Sequence, residues 1–333
     1  MPPLTPSPPR WTRALLACVL VAGVPYLALA QDGDDPPDPA EDTNRIITID
    51  ASGGTQHGNL RYGPITYEHP DPLGVHATVS DLTIRAPRAV LAGPEDTLLS
   101  QAKGQRTATF EGEVVATRRR LEATGPDLTY DERSGLGTMT GGVAIEIQPA
   151  EDEDDVTYID AGSVAFDVDT DRSVSREQVV LTVGPQRAEA DELTYAETRD
   201  LGQLVCEDLC TVVRENEDGE PMRITAREIR VLTASDRLWA RGDVTVIDGA
   251  ITSRGDEVFY DDEEQIAEVI GSPATAVDEE GGVSLESDRI LQDVQFDFVE
   301  AIDASQASDV ERADFLFEEE QDEELDEEAA RAP

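Results

Sequence analysis

Basic residues are scarce in this chain. Lysine occurs once, at Lys103, and Lys and Arg together number 26 against 72 Asp and Glu, for a formal net charge of −46. A surface of that sign excludes the cationic contacts to phosphate on which nucleic-acid affinity rests. It also excludes adsorption to anionic headgroups, and it keeps a sheet-rich protein in solution. Aromatics are few, at 5%, although hydrophobic residues reach 39%, enough for a core. Histidine occurs three times, at His57, His69 and His76, beside Glu68 and Asp71. That spacing matches no zinc-ligand pattern, and its Gly- and Pro-rich setting predicts loop histidines. No long helical period is present, nor a nucleophile elbow, phosphate loop, dinucleotide fingerprint or zinc-protease signature. Nothing here argues for catalysis or for a bound cofactor.

Long apolar runs are confined to the N-terminus. Arg10 and Arg13 precede an apolar stretch from Ala14 to Ala30, and Ala28-Leu29-Ala30 is a small-x-small cleavage site. Residues 1–30 are therefore expected to be a signal peptide and the mature chain to be exported. An uncleaved inner-membrane anchor is the rival, because 17 residues is near the lower limit for a span. Residues 31–45, with prolines and acids but almost no base, read as a disordered linker. Residues 301–333 read as a C-terminal tail, its acids concentrated from Glu318 to Pro333. Just before them, Phe315-Leu316-Phe317 is expected to be a last strand or helix end, with docking as the alternative.

Between these ends, over 46–300, Val, Thr and Ile alternate with polar residues, and turns carry Asp, Gly and Pro. Within this region the chain repeats itself. A head recurs as LEATGPDLTY (121–130), AEADELTY (188–195), ITAREIRVL (224–232), ITSRGDEVFY (251–260) and SLESDRIL (284–291), more weakly as LTIRAPRAVL (82–91) and YIDAGSVAF (158–166). Aligned on Ala86, Ala123, Ala161, Ala190, Ala226, Ser253 and Ser287, the copies step by 37, 38, 29, 36, 27 and 34 residues. A tail centred on glycine follows, at Gly112, Gly141, Gly242 and Gly271, with Glu177 and Asp208 in the glycine's place elsewhere. Apolar residues keep odd–even register with that position, so they share one face of a strand. Glycine within a strand marks a bend. Each unit thus reads as an antiparallel strand pair whose second strand bends, and copies stack to share one core.

Three sites compete for a functional role. Cys206 and Cys210, the two cysteines outside the leader, lie on the inward register. They form a candidate disulfide in an exported chain. Four residues of straight strand span about 13 Å, too far for a bridge, so one would require a turn at Glu207-Asp208-Leu209. Buried thiols and a metal or redox role stand as alternatives. Asp167-Val-Asp169-Thr-Asp171 resembles the opening of a calcium loop, but Arg172 and Gln178 stand where glycine and glutamate belong. A solvated turn is expected there, and a loop crest at Glu151–Asp155.

The repeated small–x–apolar–x–aromatic head followed by Gly-x-Val-x-Val resembles the OstA-like family. That family comprises the periplasmic bridge of lipopolysaccharide transport and its relatives, including the jellyroll part of the outer-membrane assembly protein. Ala123 to Tyr130 with Gly141 to Ile145, Ala190 to Tyr195, Ala226 to Val246 and Ser253 to Gly271 carry the resemblance, within Leu82 to Leu291. It implies an all-β fold, an elongated open antiparallel β-jellyroll of about seven strand-pair repeats, holding lipid acyl chains in an apolar groove. Phe110, Val114, Val143, Ile145, Val179, Leu181, Val212, Val244 and Val246 would then line the groove, with plain core as the alternative for each. The implied partners are lipopolysaccharide or a related glycolipid, other jellyroll proteins of the bridge by edge-strand pairing, and further copies of the chain. A net charge of −46 and the acidic tail are extra to the family pattern. An exported structural or adhesive β-solenoid is the alternative function.

Overall fold

A computed structural model describes residues 43–151, 155–216, 220–295, 298–303, 312–317 and Glu320. The expected signal peptide, most of the acidic linker, the middle of the 151–155 crest and the acidic tail beyond Glu320 lie outside the described residues. Six short strands come first: β1 (Thr48–Asp50), β2 (Thr55–Gly58), β3 (Ile65–Glu68), β4 (Val75–Val79), β5 (Leu82–Ala86) and β6 (Arg88–Ala92). Long strands follow: β7 (Thr107–Arg118), β8 (Leu121–Asp131), β9 (Leu136–Ile147), β10 (Thr157–Asp167), β11 (Arg172–Val183) and β12 (Gln186–Ala196). They continue with β13 (Leu201–Arg214), β14 (Met222–Leu232), β15 (Arg237–Asp248), β16 (Ile251–Asp261), β17 (Ile266–Asp278) and β18 (Val283–Asp293). The short β19 (Phe298–Ala301) is last.

All belong to one 19-stranded antiparallel sheet. From β7 to β19 it is a meander, each strand pairing with its predecessor and successor. The meander turns have a recurrent chemistry. β8, β16 and β17 end in Asp131, Asp261 and Asp278, whose Oδ1 atoms accept hydrogen bonds from backbone amides two and three residues ahead. These are Asx turns, a local alternative to the ladder that ends a strand. Part of the acid excess is therefore turn chemistry.

The seven repeated heads fall on β5, β8, β10, β12, β14, β16 and β18, and the tails on the strands between them. Both kinds of strand bend, not the tail strand alone. Registers jump at Glu111/Val114, Thr124/Asp127, Ala161/Ser163, Arg176/Val179, Glu189/Glu192, Val205/Cys210, Thr225/Glu228, Arg241/Val244, Arg254/Glu257 and Ile270/Ala274. The jumps line up from strand to strand as one crease. Glu177 stands where Gly112, Gly141 and Gly242 stand in other copies and takes φ +69° itself.

The crease folds the sheet on itself. The inward residues on either side of it, such as Phe110 and Val114 on β7, are almost fully buried and belong to one apolar cluster. An antiparallel sheet with a single inward face needs a cover, and among the described residues the only helical pieces are two short 3-10 turns. The cover is the other half of the sheet. A narrow gap of about 20 Å³ shows the two halves meeting, since Leu181 and Val212 lie on one side of the crease and Val231 on the other. At its beginning the sheet splits in the same sense. The first half of β7 pairs with β6, which leads to β3 and β2, while its second half pairs with β5, which leads to β4 and β1. Among the described residues no strand pairing joins the last strand to the first, so the sheet is open.

Candidate functional site

The crease carries the candidate site. A cleft of about 740 Å³ runs along it from β7 to β10, walled by Val114, Val115, Pro126, Val143, Ala144 and Ala161, with Gly112, Gly125 and Gly142 at its floor and Leu73 at its margin. A Cβ built on Gly142, at φ +92°, would meet nothing within 4 Å, so this glycine borders free space. Glu113 and Asp160 are the charged groups of this cleft. Farther along, a second cleft of about 510 Å³ spans β11 to β13 and is more polar, with Val179 and Ala190 beside Glu189, Asp191, Glu207 and Asp208.

Cys206 sits in that second cleft, joined to Cys210 by a disulfide with Cα atoms 5.4 Å apart. The chain turns out of register between Val205 and Cys210, which brings the two Cα atoms much closer than a straight strand would. The Glu207 amide is held by Asp191 at 2.8 Å.

The nine inward residues named as groove lining do not share one environment. Val114 and Val143 border the first cleft, Val179 the second, and Leu181 and Val212 the narrow gap between the layers. All nine are buried in the apolar cluster, and Phe110, Ile145, Val244 and Val246 line none of these spaces. Of the histidines, His57 is on β2 and His76 on β4, not in loops, because β2 and β4 pair with β3 and β5 through those residues. His69 is in a loop, its Nδ1 accepting from the Asp71 amide at 3.0 Å. Among the described residues no group of three or more His, Cys, Asp or Glu is placed to hold a metal ion. Asp167 to Asp171 form the β10–β11 turn, with Asp169 paired to Arg45 and Asp171 accepting from Thr198.

Opposite the crease the two layers meet at a mouth, and side chains clasp it. Arg118, at the end of β7 in one layer, forms an ion pair with Glu197 just past β12 in the other, and its Nη1 donates to the Asp167 carbonyl at 2.7 Å. Arg120 donates to Asp200 at 2.8 Å and to the Glu197 carbonyl at 2.9 Å. Farther along, Arg214 at the end of β13 pairs with Asp262 beyond β16. Ser253 on β16 donates to Gln292 on β18 at 2.7 Å. Burial pushes the Glu197 carboxyl up, against the pull of Arg118, and its second oxygen has no hydrogen-bond partner. Burial likewise raises the Tyr195 and Tyr260 hydroxyls, which stand at this rim against Asp200 and Asp262.

Docking of the Phe315 triplet, the alternative in the sequence, is what the structure shows. The 3-10 turn Arg312–Phe315 and the two residues after it lie on the outer face of the sheet, where Phe315 packs between Trp239 and Phe259. The Phe315-Leu316-Phe317 triplet is therefore docked as well as being the end of a short helix. A signal was present: Leu238-Trp239-Ala240 and Val258-Phe259-Tyr260 each put three apolar residues in a row, where alternation calls for a polar residue in the middle.

An unclosed antiparallel sheet, creased through every long strand and folded onto an apolar interior, is jellyroll-like architecture. No protein-family model and no curated protein sequence matches the chain. Among solved structures it is similar to LptH of Pseudomonas aeruginosa, the LptA-homologous periplasmic component of a lipopolysaccharide transport device. The identity is 23%, the match covers 38% of this chain and 82% of that one, and the TM-score is 0.31. A likeness of that degree carries no functional weight.

Proposed function

We propose that this chain is an exported lipid carrier of the periplasm, moving lipopolysaccharide or a similar envelope glycolipid toward the outer membrane without chemistry of its own. The observation that carries this reading is the cleft at Val114 and Val143, an apolar space of about 740 Å³ opening into the crease of a sheet that hydrogen bonding does not close. That volume is within the range of ligand pockets. Each methylene shielded there from water contributes about 0.8 kcal/mol, so a few acyl carbons suffice for retention. A cargo larger than the cleft requires the layers to part, and the mouth is held by side chains rather than by strand pairing. Glu113 and Asp160 at the cleft disfavour a bare phosphate nearby, so the headgroup stays outside the crease or meets the protein through divalent cations. The free edges at β1, β2 and β19 suit pairing with other jellyroll sheets, or with another copy, in a bridge.

The alternative, an exported structural β-solenoid, is favoured by the complete burial of Phe110 and Val246, which behave as core. Mass spectrometry of protein drawn gently from its native envelope separates the two. Co-purifying glycolipid in near-stoichiometric amount supports the carrier, and lipid-free protein supports the solenoid.

A further inference from the structure

Outward positions on most of the sheet face water, as Glu122 and Thr129 on β8 and Thr138 and Thr140 on β9 do. Toward one end of β14 to β16 three of them do not: Arg230 and Trp239 are each 1% exposed and Phe259 9%. The cover is the chain's own C-terminal segment. Phe315 packs with its ring tilted against Trp239 and Phe259, centroids 6.3 Å from each. Phe317 lies under two guanidinium groups, those of Arg172 at 4.6 Å and Arg230 at 5.5 Å.

Charge-assisted bonds fix the register of the segment. Arg230 donates to the Phe315 carbonyl at 2.8 Å and grips the Glu320 carboxylate through both terminal nitrogens, at 2.6 and 2.8 Å. Arg199 donates to the Asp314 carbonyl at 3.0 Å and also to that of Leu316. Aromatic pockets and a two-pronged arginine are what short acidic peptides bind. In a chain with 26 basic residues against 72 acids, gathering Arg172, Arg199 and Arg230 on one face gives that face a charge complementary to such a peptide.

We propose that the outer face of β14–β16 is a peptide-recognition site for an acidic segment carrying two phenylalanines one residue apart. Phe315, Phe317 and Glu320 fill it in cis, and the same residues of a second copy of this chain fill it in trans. Segment and site belong to one chain, so the cis form wins at low concentration through its effective molarity. Exchange couples two copies without any new interface. This inference is independent of what the crease carries.

Two full-length variants test it. Phe315→Ala/Phe317→Ala removes the ligand and leaves the site, whereas Arg230→Ala removes the site and leaves the ligand. A fluorescein-labelled peptide spanning residues 311–322 is expected to bind the first variant at least tenfold more tightly than wild type, whose site is filled. A peptide lacking both phenylalanines is expected not to bind. Mixing the two variants at high concentration is expected to give a 1:1 heterodimer by native mass spectrometry, which neither gives alone. Equal peptide binding by wild type and the first variant would overturn the recognition site, and a mixture that stays monomeric would overturn the exchange. Arg199→Ala, which deletes a half-buried cation that holds the Asp314 and Leu316 carbonyls, replaces Arg230→Ala if that variant does not fold.

Discussion

Arg118 and Glu197 are 79 residues apart in sequence, lie in opposite layers of the folded sheet, and form a fully buried ion pair across its mouth. Neither layer satisfies these charges by itself. The pair therefore reports whether the layers are together.

Breaking such a pair from one side strands a buried charge and costs about 3–5 kcal/mol, whereas apolar replacement of both partners is often near neutral. Arg118→Leu is accordingly expected to lower stability by about 3 kcal/mol or more. Arg118→Leu/Glu197→Leu is expected to recover most of that loss. Urea unfolding of both singles and the double measures the coupling, and additive losses would show that the clasp does not bind the layers.

The disulfide closes a short loop at the crease. For a loop of that size, chain entropy gives about 2 kcal/mol. Cys206→Ser/Cys210→Ser is expected to lose about that much stability, read as a lower thermal midpoint, and reduction of the wild type should match it.

Glu177, at φ +69°, occupies a left-handed position that Gly112, Gly141 and Gly242 fill in other copies. A side chain there costs about 1–2 kcal/mol, offset in part by the greater chain entropy glycine must lose. Glu177→Gly is expected to stabilise the protein by up to about 1 kcal/mol.

Two pH responses follow from burial and pairing. The Tyr195 and Tyr260 hydroxyls are raised, chiefly by burial, so the stability they confer is intact below the unfolded value of about 10. It is lost as pH rises above that, because the unfolded chain ionises first. The midpoint of thermal unfolding is expected to fall from about pH 10 upward, less steeply in Tyr195→Phe. At the other end, the hydrogen bond from Arg230 holds the Glu320 carboxyl below its usual range. Docking of the segment is therefore favoured above about pH 4.5 and weakens as pH falls further, a change that Trp239 fluorescence reads.

Much of this fold is legible in the sequence because a period of two and a recurring small residue are local signals. Ala123, Ala190 and Ala226 mark their strands, and Gly112, Gly141 and Gly242 mark the crease on the others. The bend in the head strands is hidden. There the inward register simply slips by one, from Ala190 to Leu193 or from Ala226 to Ile229, which reads as imperfect alternation. The clasps are invisible for a different reason. Arg118 and Arg214 meet partners several strands away, and only the folding-over of the sheet decides which acid among 72 each one meets. Inward register identified apolar positions correctly but did not separate Val143, which lines the cleft, from Val246, which lines none, since both are buried in the same cluster.

The central claim is that the crease beside Val114 and Val143 holds lipid. Photo-reactive residues placed singly at Val143 and at Val246 in cells, followed by ultraviolet irradiation and immunoblotting for lipopolysaccharide, test it directly. A glycolipid adduct at Val143, stronger than at the packed Val246, is the expected result. Adducts at neither position, from protein that is folded and exported, would contradict it.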